Sequence, residues 1–292
     1  DIPWGIRGMK TKVSVGISPS SWFKIFKYSI FALLGLNAVQ YFLQDFAASQ
    51  LVFGDGLPWL QVVEAYAVTI DTFSWIILLF VFDLETSFFA RTVWKEPEIK
   101  WFMSGIKALC YGFIIYALYG YIVRFSGMHT FELSGITDLC THLDDDLVFM
   151  NSLDLFSSID TENCTSLVSG EPLYLDPETN RITDIGTLSL SQDLALTDVV
   201  NASTWVLIVL ILDADIWMKS RGDSAETIVM AMNLVKGALY SVLLGCAVFW
   251  GISGVFLDFW DAFLWILAFA FIELNVFDWP EARGVEREAT VN

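Results

Sequence analysis

Long runs of apolar residues alternate along the chain with short polar or turn-forming segments. An α-helix that crosses about 30 Å of hydrocarbon needs about 20 mostly apolar residues. Six runs reach that length, at residues 25–44, 60–82, 105–124, 199–218, 234–254 and 257–277. The sequence therefore predicts an all-α, polytopic membrane protein with six transmembrane helices. The second run carries Glu64 and Asp71 and the fourth carries Asp213 and Asp215, so these two fit the pattern least well.

Composition agrees with this class. Hydrophobic residues make up 55% of the 292 residues and charged residues 17%, whereas a soluble domain has roughly 45–50% and roughly 25%. The net charge of −18 excludes nucleic acid as a partner, because Lys and Arg must neutralise the phosphates. An acidic protein is instead suited to cations, and the apolar helices imply membrane lipid as a neighbour.

The distribution of basic residues predicts the orientation. Of the 16 Lys and Arg residues, 14 fall in the N-terminal segment, the second and fourth connections and the C-terminal tail, which leaves only Arg124 and Arg181 for the opposite side. Positive charge concentrates on the cytoplasmic side of membrane proteins. We therefore expect a multi-pass protein with both termini in the cytoplasm, in a bacterial inner membrane or the equivalent eukaryotic membrane.

One long segment interrupts the series of helices. Residues 126–198 contain 14 Asp or Glu, a single Arg and both histidines, and we expect an acidic extracytoplasmic cap or loop there. The predicted organisation is an N-terminal segment with helices one to three (1–125), this insertion (126–198), helices four to six (199–278) and a cytoplasmic tail (279–292).

The insertion also holds two of the four cysteines, Cys140 and Cys164. On an oxidising side of the membrane, their spacing is compatible with a disulfide that closes a loop of about 25 residues. Cys110 and Cys246 fall within predicted helices and are interpreted as packed thiols.

The even-numbered helices share a pattern centred on one tryptophan each. These tryptophans are Trp75, Trp205 and Trp265. Eight residues later comes an acid in each helix: Asp83, Asp213 and Glu273. Two residues further comes a second acid or amide: Glu85, Asp215 and Asn275. Four residues before the tryptophans stand Asp71, Asn201 and Asp261. This shared spacing predicts three helical-hairpin repeats with pseudo-threefold symmetry, the insertion lying within the second repeat.

The odd-numbered helices carry a weaker repeated pattern. In each, a lysine near the predicted cytoplasmic end is followed four residues later by an aromatic residue. The pairs are Lys27 and Phe31, Lys107 and Tyr111, and Lys236 and Tyr240.

The repeated charges have two interpretations. In the first, each acid pairs with a lysine of its own or a neighbouring hairpin (Lys27, Lys107 or Lys236) as a structural ion pair. In the second, the acids and amide form a cation or proton site, because a charge within a bilayer faces the interior of the bundle or water. The candidates for that site are Asp71, Asp83, Glu85, Asp213, Asp215, Glu273 and Asn275. Asp71 is the deepest of these in its helix and is the best single candidate for a proton-responsive residue.

Catalytic signatures are missing from the sequence. No Gly-x-Ser-x-Gly, Walker or dinucleotide motif occurs, and no Cys or His cluster has zinc-like spacing. This disfavours an enzyme, and the sequence identifies neither a cofactor nor a resident metal.

Two functions fit these observations. The first is a cation or proton channel or transporter that uses intramembrane carboxylates. The alternative is a non-catalytic structural or assembly subunit, which docks on other membrane proteins through its acidic cap.

Overall fold

The computed structural model describes residues 19–53, 61–84, 97–167, 171–221 and 226–273. Within these residues the helices are α1 (Pro19–Phe53), α2 (Val62–Ala65), α3 (Ala67–Asp83), α4 (Pro97–Gly127), α5 (Ile185–Arg221), α6 (Glu226–Ile252) and α7 (Phe256–Glu273). The helix α5 begins inside the segment that the sequence assigned to the insertion.

Four helices in the described part of the chain are long and apolar enough to cross a membrane. They cover Lys24–Val52, Trp101–Gly127, Ile185–Leu212 and Met230–Ile252. The chain is thus compatible with a membrane protein, as predicted. The helix α3 has only 17 residues, and α7 contains Asp258, Asp261 and Glu273. Six spans therefore stay a prediction.

The prediction of an all-α fold is wrong for the insertion. The described residues there form a five-stranded sheet with strand order β1-β4-β5-β2-β3. The strands are β1 (Glu132–Leu133), β2 (Val148–Ser152), β3 (Leu155–Ser158), β4 (Leu173–Asp176) and β5 (Arg181–Asp184). Neighbouring strands are antiparallel except for β2 and β5. These strands are too short and too polar to stand out beside the long apolar runs, but the first three residues of β2 and of β5 are buried.

We use the term cap for this sheet and its connections, residues 128–167 and 171–184. A small apolar core fills it, formed by Leu139, Phe149, Cys164, Leu173 and Ile182. Cys140 and Cys164 form a disulfide with 5.1 Å between their Cα atoms, which confirms the predicted pairing. The remaining cysteines, Cys110 and Cys246, are free and buried.

The turn between β2 and β3 packs the cap onto the helices. Leu153 in this turn is 3% exposed and belongs to a second apolar cluster. This cluster also contains Leu194 of α5, Ala247 of α6 and Ala262 of α7. The side chain at the turn is therefore held by helices that are far apart in sequence.

The helix predicted over residues 60–82 is broken at Tyr66, whose φ of −124° and ψ of 24° end α2 and precede α3. Next to this break, α2 and α4 approach closely. A Cβ atom on Gly120 of α4 would lie 2.5 Å from the carbonyl oxygen of Val63. Glycine at this position therefore permits the contact between the two backbones.

The chain divides into two compact units, residues 33–266 and residues 1–32 with 267–292. The larger unit contains the cap and all the cavities described below. In the smaller unit, Nζ of Lys27 lies 5.4 Å from the ring centre of Tyr28 and 5.9 Å from that of Phe31. These distances are within the range of cation–π contacts.

Candidate functional site: an acidic cavity between the helices

A cavity of about 60 Å³ lies among the helices of the larger unit, enough for about four water molecules. Among the described residues, its lining includes six aspartates: Asp45, Asp71, Asp154, Asp198, Asp258 and Asp261. No lysine or arginine in the described part of the chain lines this space, and tyrosine, amide and tryptophan side chains complete it. We call it the acidic cavity.

Helical periodicity explains why several residues of α3, α5 and α7 line the acidic cavity. Residues seven and four positions before each repeated tryptophan lie on the same helix face as the tryptophan itself. In α3 these residues are Val68 and Asp71, in α5 Asp198 and Asn201, and in α7 Asp258 and Asp261. All of them line the acidic cavity. The repeated spacing thus brings corresponding positions of three helices to one space.

The tryptophans themselves meet at one end of the cavity. The ring centre of Trp75 lies 6.2 Å from that of Trp205 and 6.3 Å from that of Trp265. A narrow extension of about 40 Å³ is lined by these three rings together with Asp71, Thr72, Asn201 and Asp261. Because Asp83 follows Trp75 by eight residues, it lies about 12 Å further along α3. The three rings, which we call the tryptophan cluster, separate the cavity from that end of the helix.

Neutral polar groups from other helices hydrogen-bond the carboxylates. The hydroxyl of Tyr121 donates to Asp71 across 3.3 Å, and that of Tyr41 donates to Asp258 across 2.9 Å. The amide of Asn37 donates to Asp261 across 2.9 Å. Hydrogen-bonded pairs of carboxyl, hydroxyl and amide groups from α1, α3, α4 and α7 therefore lie at the cavity.

Asn201 lies at the position in α5 that corresponds to Asp71 and Asp261. Its Oδ1 atom is buried and has no hydrogen-bond partner among the described residues. Because Asn201 faces the cavity, water or a bound group is the natural donor to this oxygen.

Asp45 has a structural role as well. Its carboxylate accepts hydrogen bonds from the backbone nitrogen and the hydroxyl of Thr69, across 3.1 Å and 2.6 Å. Thr69 lies in the first turn of α3, where backbone N–H groups lack helical partners. Asp45 on α1 therefore caps α3, and its charge lies at the favourable end of the helix dipole.

The cap borders the cavity at the β2–β3 turn. Arg124 of α4 forms an ion pair with Asp154 in the β2–β3 turn, and it also donates to the carbonyl oxygen of Leu153 across 3.2 Å. Beyond this pair is a second cavity of about 50 Å³, which we call the vestibule. Its lining combines both signs of charge: Asp45, Glu64, Asp154, Arg124 and Arg181.

Arg181 at the vestibule is fixed by Asp176 within the cap. The guanidinium donates to the carboxylate across 2.8 Å, and both side chains are more than nine-tenths buried. Burial alone would raise the pKa of Asp176, but the hydrogen bonds from Thr179 and Arg181 outweigh it and hold the pKa below its ordinary value. Asp176 is therefore ionised at neutral pH.

The site residues proposed from the sequence lie in different parts of the structure. Asp71 lines the acidic cavity. Asp83 ends α3, and Nζ of Lys107 lies 5.5 Å from the ring centre of Phe82. Lys236 is buried in α6. Glu85 and Asn275 lie outside the described residues, as do the side chains of Asp213, Asp215 and Glu273. The ion pairs and the cation or proton site that the sequence predicts for these residues therefore stay predictions.

Sequence reasoning missed several groups of the cavity. Asp198 and Asp258 could have been found, because both stand seven residues before a repeated tryptophan. Asp45, Asp154 and Arg124 carry no such signal, since α1 and the cap reach the site through tertiary packing. The tyrosines that hydrogen-bond the carboxylates, Tyr41 and Tyr121, likewise carry no signal in the sequence.

Within the described residues, no three His, Cys, Asp or Glu side chains are grouped as metal ligands. Comparison with known protein families, with curated proteins and with solved structures gave no match.

Proposed function

We propose that the protein transfers protons across a membrane through the acidic cavity. The observation that carries this proposal is the lining itself, in which six aspartates surround about 60 Å³ and one of them, Asp154, is paired with Arg124. Buried like charges are costly, and chains of acidic groups in membrane helices are typical of proton relays. Carboxyl and hydroxyl groups can both donate and accept, so each can take up a proton and release it to a neighbouring group or to water in the cavity.

The proton is favoured over a metal cation by the arrangement of the ligands. A hard cation such as Ca²⁺ needs six or more converging oxygens, whereas the described carboxylates are distributed around the cavity and hydrogen-bonded to separate partners. A proton needs only one carboxyl group at a time.

In this proposal the two ends of the cavity act as barriers. The tryptophan cluster closes the end toward Asp83, and the ion pair of Arg124 with Asp154 closes the end toward the vestibule. Transfer of a proton across the protein then requires that the side chains at each barrier move or that water enters between them. With the orientation expected from the basic residues, the vestibule faces the extracytoplasmic side.

We further propose that α3, α5 and α7 are equivalent helices of a threefold repeat, within a bundle that spans the membrane six times. This is supported by the contacts among the repeated tryptophans and by the shared positions that line the cavity. The differences among the repeats are chemical: α3 has Val68 where the other two helices carry an acid, and α5 has Asn201 where they carry an acid.

The proposal is tested with purified protein in liposomes that contain a pH-sensitive dye. A pH gradient at clamped membrane potential should drive proton flux in wild type. The flux should fall at least tenfold in Asp261→Asn, which keeps the size of the side chain and removes its proton. Asp193→Asn is the matched control, because Asp193 is an exposed aspartate of α5 that does not line the cavity.

Replacing the pH gradient by Na⁺ or K⁺ gradients identifies the transported species. A response of Na⁺- or K⁺-sensitive dyes, loaded in place of the pH-sensitive dye, to these gradients at constant pH would instead support cation transport. Wild-type protein that is folded but passes neither protons nor metal ions contradicts the proposal. That result would favour the alternative of a subunit docking through its acidic cap.

A further inference from the structure

A larger groove of about 520 Å³ adjoins the acidic cavity. It lies between the end of α1, the β2–β3 turn, the start of α5 and the turn that joins α6 to α7. Apolar side chains form most of its lining, among them Leu43, Leu51, Leu190, Leu194, Val255 and Phe256. We call it the side groove. Its volume is within the 300–1,000 Å³ that is typical of small-molecule sites.

The outer part of this groove is exposed. The exposed fractions are 58% for Leu43, 39% for Leu190 and 69% for Phe256. These side chains belong to or adjoin helices with the apolar composition of membrane spans. An apolar chain could therefore enter the groove sideways from surrounding lipid.

The inner end of the groove is polar and acidic. Gln44, Asp154 and Asp258 line both the side groove and the acidic cavity. No lysine or arginine in the described part of the chain lines the groove. Of the two acids, Asp154 already binds Arg124. Within the described residues, the hydrogen bond that Asp258 accepts comes from the neutral hydroxyl of Tyr41 and uses Oδ1, so its carboxylate has acceptor capacity left for a ligand.

We propose that the side groove binds a single-chain amphiphile with a protonated amine head group. The apolar chain would lie along the leucines, and the ammonium would donate to Asp258 at the inner end. This site does not depend on proton transfer, because it requires only the groove and its acidic end.

Charge decides between this ligand and other membrane amphiphiles. An anionic head group, such as a phosphate or a fatty-acid carboxylate, would be repelled by Asp154 and Asp258 and by the four further aspartates of the cavity. A neutral alcohol could fill the apolar part but would gain no ion pair. An ammonium that is partly shielded from water gains a charge-assisted hydrogen bond.

The test uses a long-chain amine with a photoreactive diazirine in its chain, added to the full-length protein in liposomes of zwitterionic lipid. We expect cross-links to peptides that contain Leu43–Leu51 and Leu190–Leu194. Labelling by the corresponding long-chain alcohol, with the same chain and diazirine, should be at least fivefold weaker. A short-chain amine in excess should not compete.

Two variants and two matched controls locate the site. Leu190→Trp should reduce labelling by the amine at least fivefold by filling the groove, whereas Leu244→Trp, at an exposed position of α6 outside the groove, should not. Asp258→Asn should remove the preference for amine over alcohol, whereas Asp193→Asn should keep it. Equal labelling of wild type by amine and alcohol would overturn the proposal even if the variants do not fold. An unchanged preference in folded Asp258→Asn would overturn it as well.

Discussion

Arg124 at the end of α4 and Asp154 in the β2–β3 turn form an ion pair that joins the helices to the cap. The arginine side chain is 11% exposed and the aspartate 34%, so one partner is nearly withdrawn from water. Asp45 and Asp198 are further acidic neighbours of the guanidinium. Arg124 is thus the basic residue around which the acidic groups at this end of the cavity are arranged.

Replacing the two partners should have unequal effects. Arg124→Gln leaves Asp154 and two nearby acids without their cation, and should cost about 3 kcal/mol of unfolding free energy. Asp154→Asn should cost less, because Arg124 keeps Asp45 and Asp198 as neighbours. Melting temperatures in detergent would measure both. Equal losses for the two variants would contradict this description of the pair.

The buried pair of Asp176 and Arg181 predicts a dependence of stability on pH. A folded-state pKa below the ordinary 3.8 means that ionised Asp176 stabilises the fold above about pH 4. This stabilisation is lost as the pH falls through the lower, folded-state value. Asp176→Asn should therefore lower the melting temperature at pH 7, and its difference from wild type should shrink below pH 4. A difference that stays constant down to pH 3 would contradict the assignment.

The disulfide should stabilise the cap. Closing a loop with a separation of 24 residues contributes about 3 kcal/mol in the chain-entropy description. Reductant should therefore lower the melting temperature of wild type. The double variant Cys140→Ser and Cys164→Ser should melt at the lower temperature with or without reductant. If reductant has the same effect on the double variant, the loss does not come from this bond.

Gly120 should tolerate no side chain. A methyl group there would meet the carbonyl oxygen of Val63 at 2.5 Å and Cβ of Ala67 at 3.0 Å, so Gly120→Ala should cost about 1–3 kcal/mol. Gly112→Ala is the matched control on the same helix, because its methyl group would have no neighbour within 4 Å. It should be neutral or slightly stabilising, since alanine favours a helix more than glycine does. Equal melting temperatures for the two variants would contradict the close contact of α2 and α4.

The sequence was most informative where a repeated local pattern decides the position of a residue. Spacing relative to the tryptophans marked Asp71, Asn201 and Asp261 as corresponding positions but proposed only Asp71 for a site, whereas the structure lines one space with all three. Helical periodicity explains why each of these residues lies on the same helix face as its tryptophan, because residues four apart lie on one face. The pairing of Cys140 with Cys164 could be predicted from the sequence because no other cysteine lies in the insertion.

Other parts of the site depend on tertiary packing. Asp45 meets Thr69 across two helices, and Asp154 reaches Arg124 only because the cap folds into a sheet. The strands of that sheet pair residues up to 43 positions apart, as Glu132 of the first strand pairs with Leu175 of the fourth. Periodicity within one segment carries no information on such contacts, so the cap was predicted only as an acidic segment.

The most direct test of proton transfer is the flux through Asp71→Asn, because Asp71 lies between Tyr121 and the tryptophan cluster. Proton flux into liposomes at clamped potential should fall at least tenfold relative to wild type, with an unchanged melting temperature. Asp193→Asn should retain the wild-type flux. Undiminished flux through folded Asp71→Asn would contradict a path along the acidic cavity.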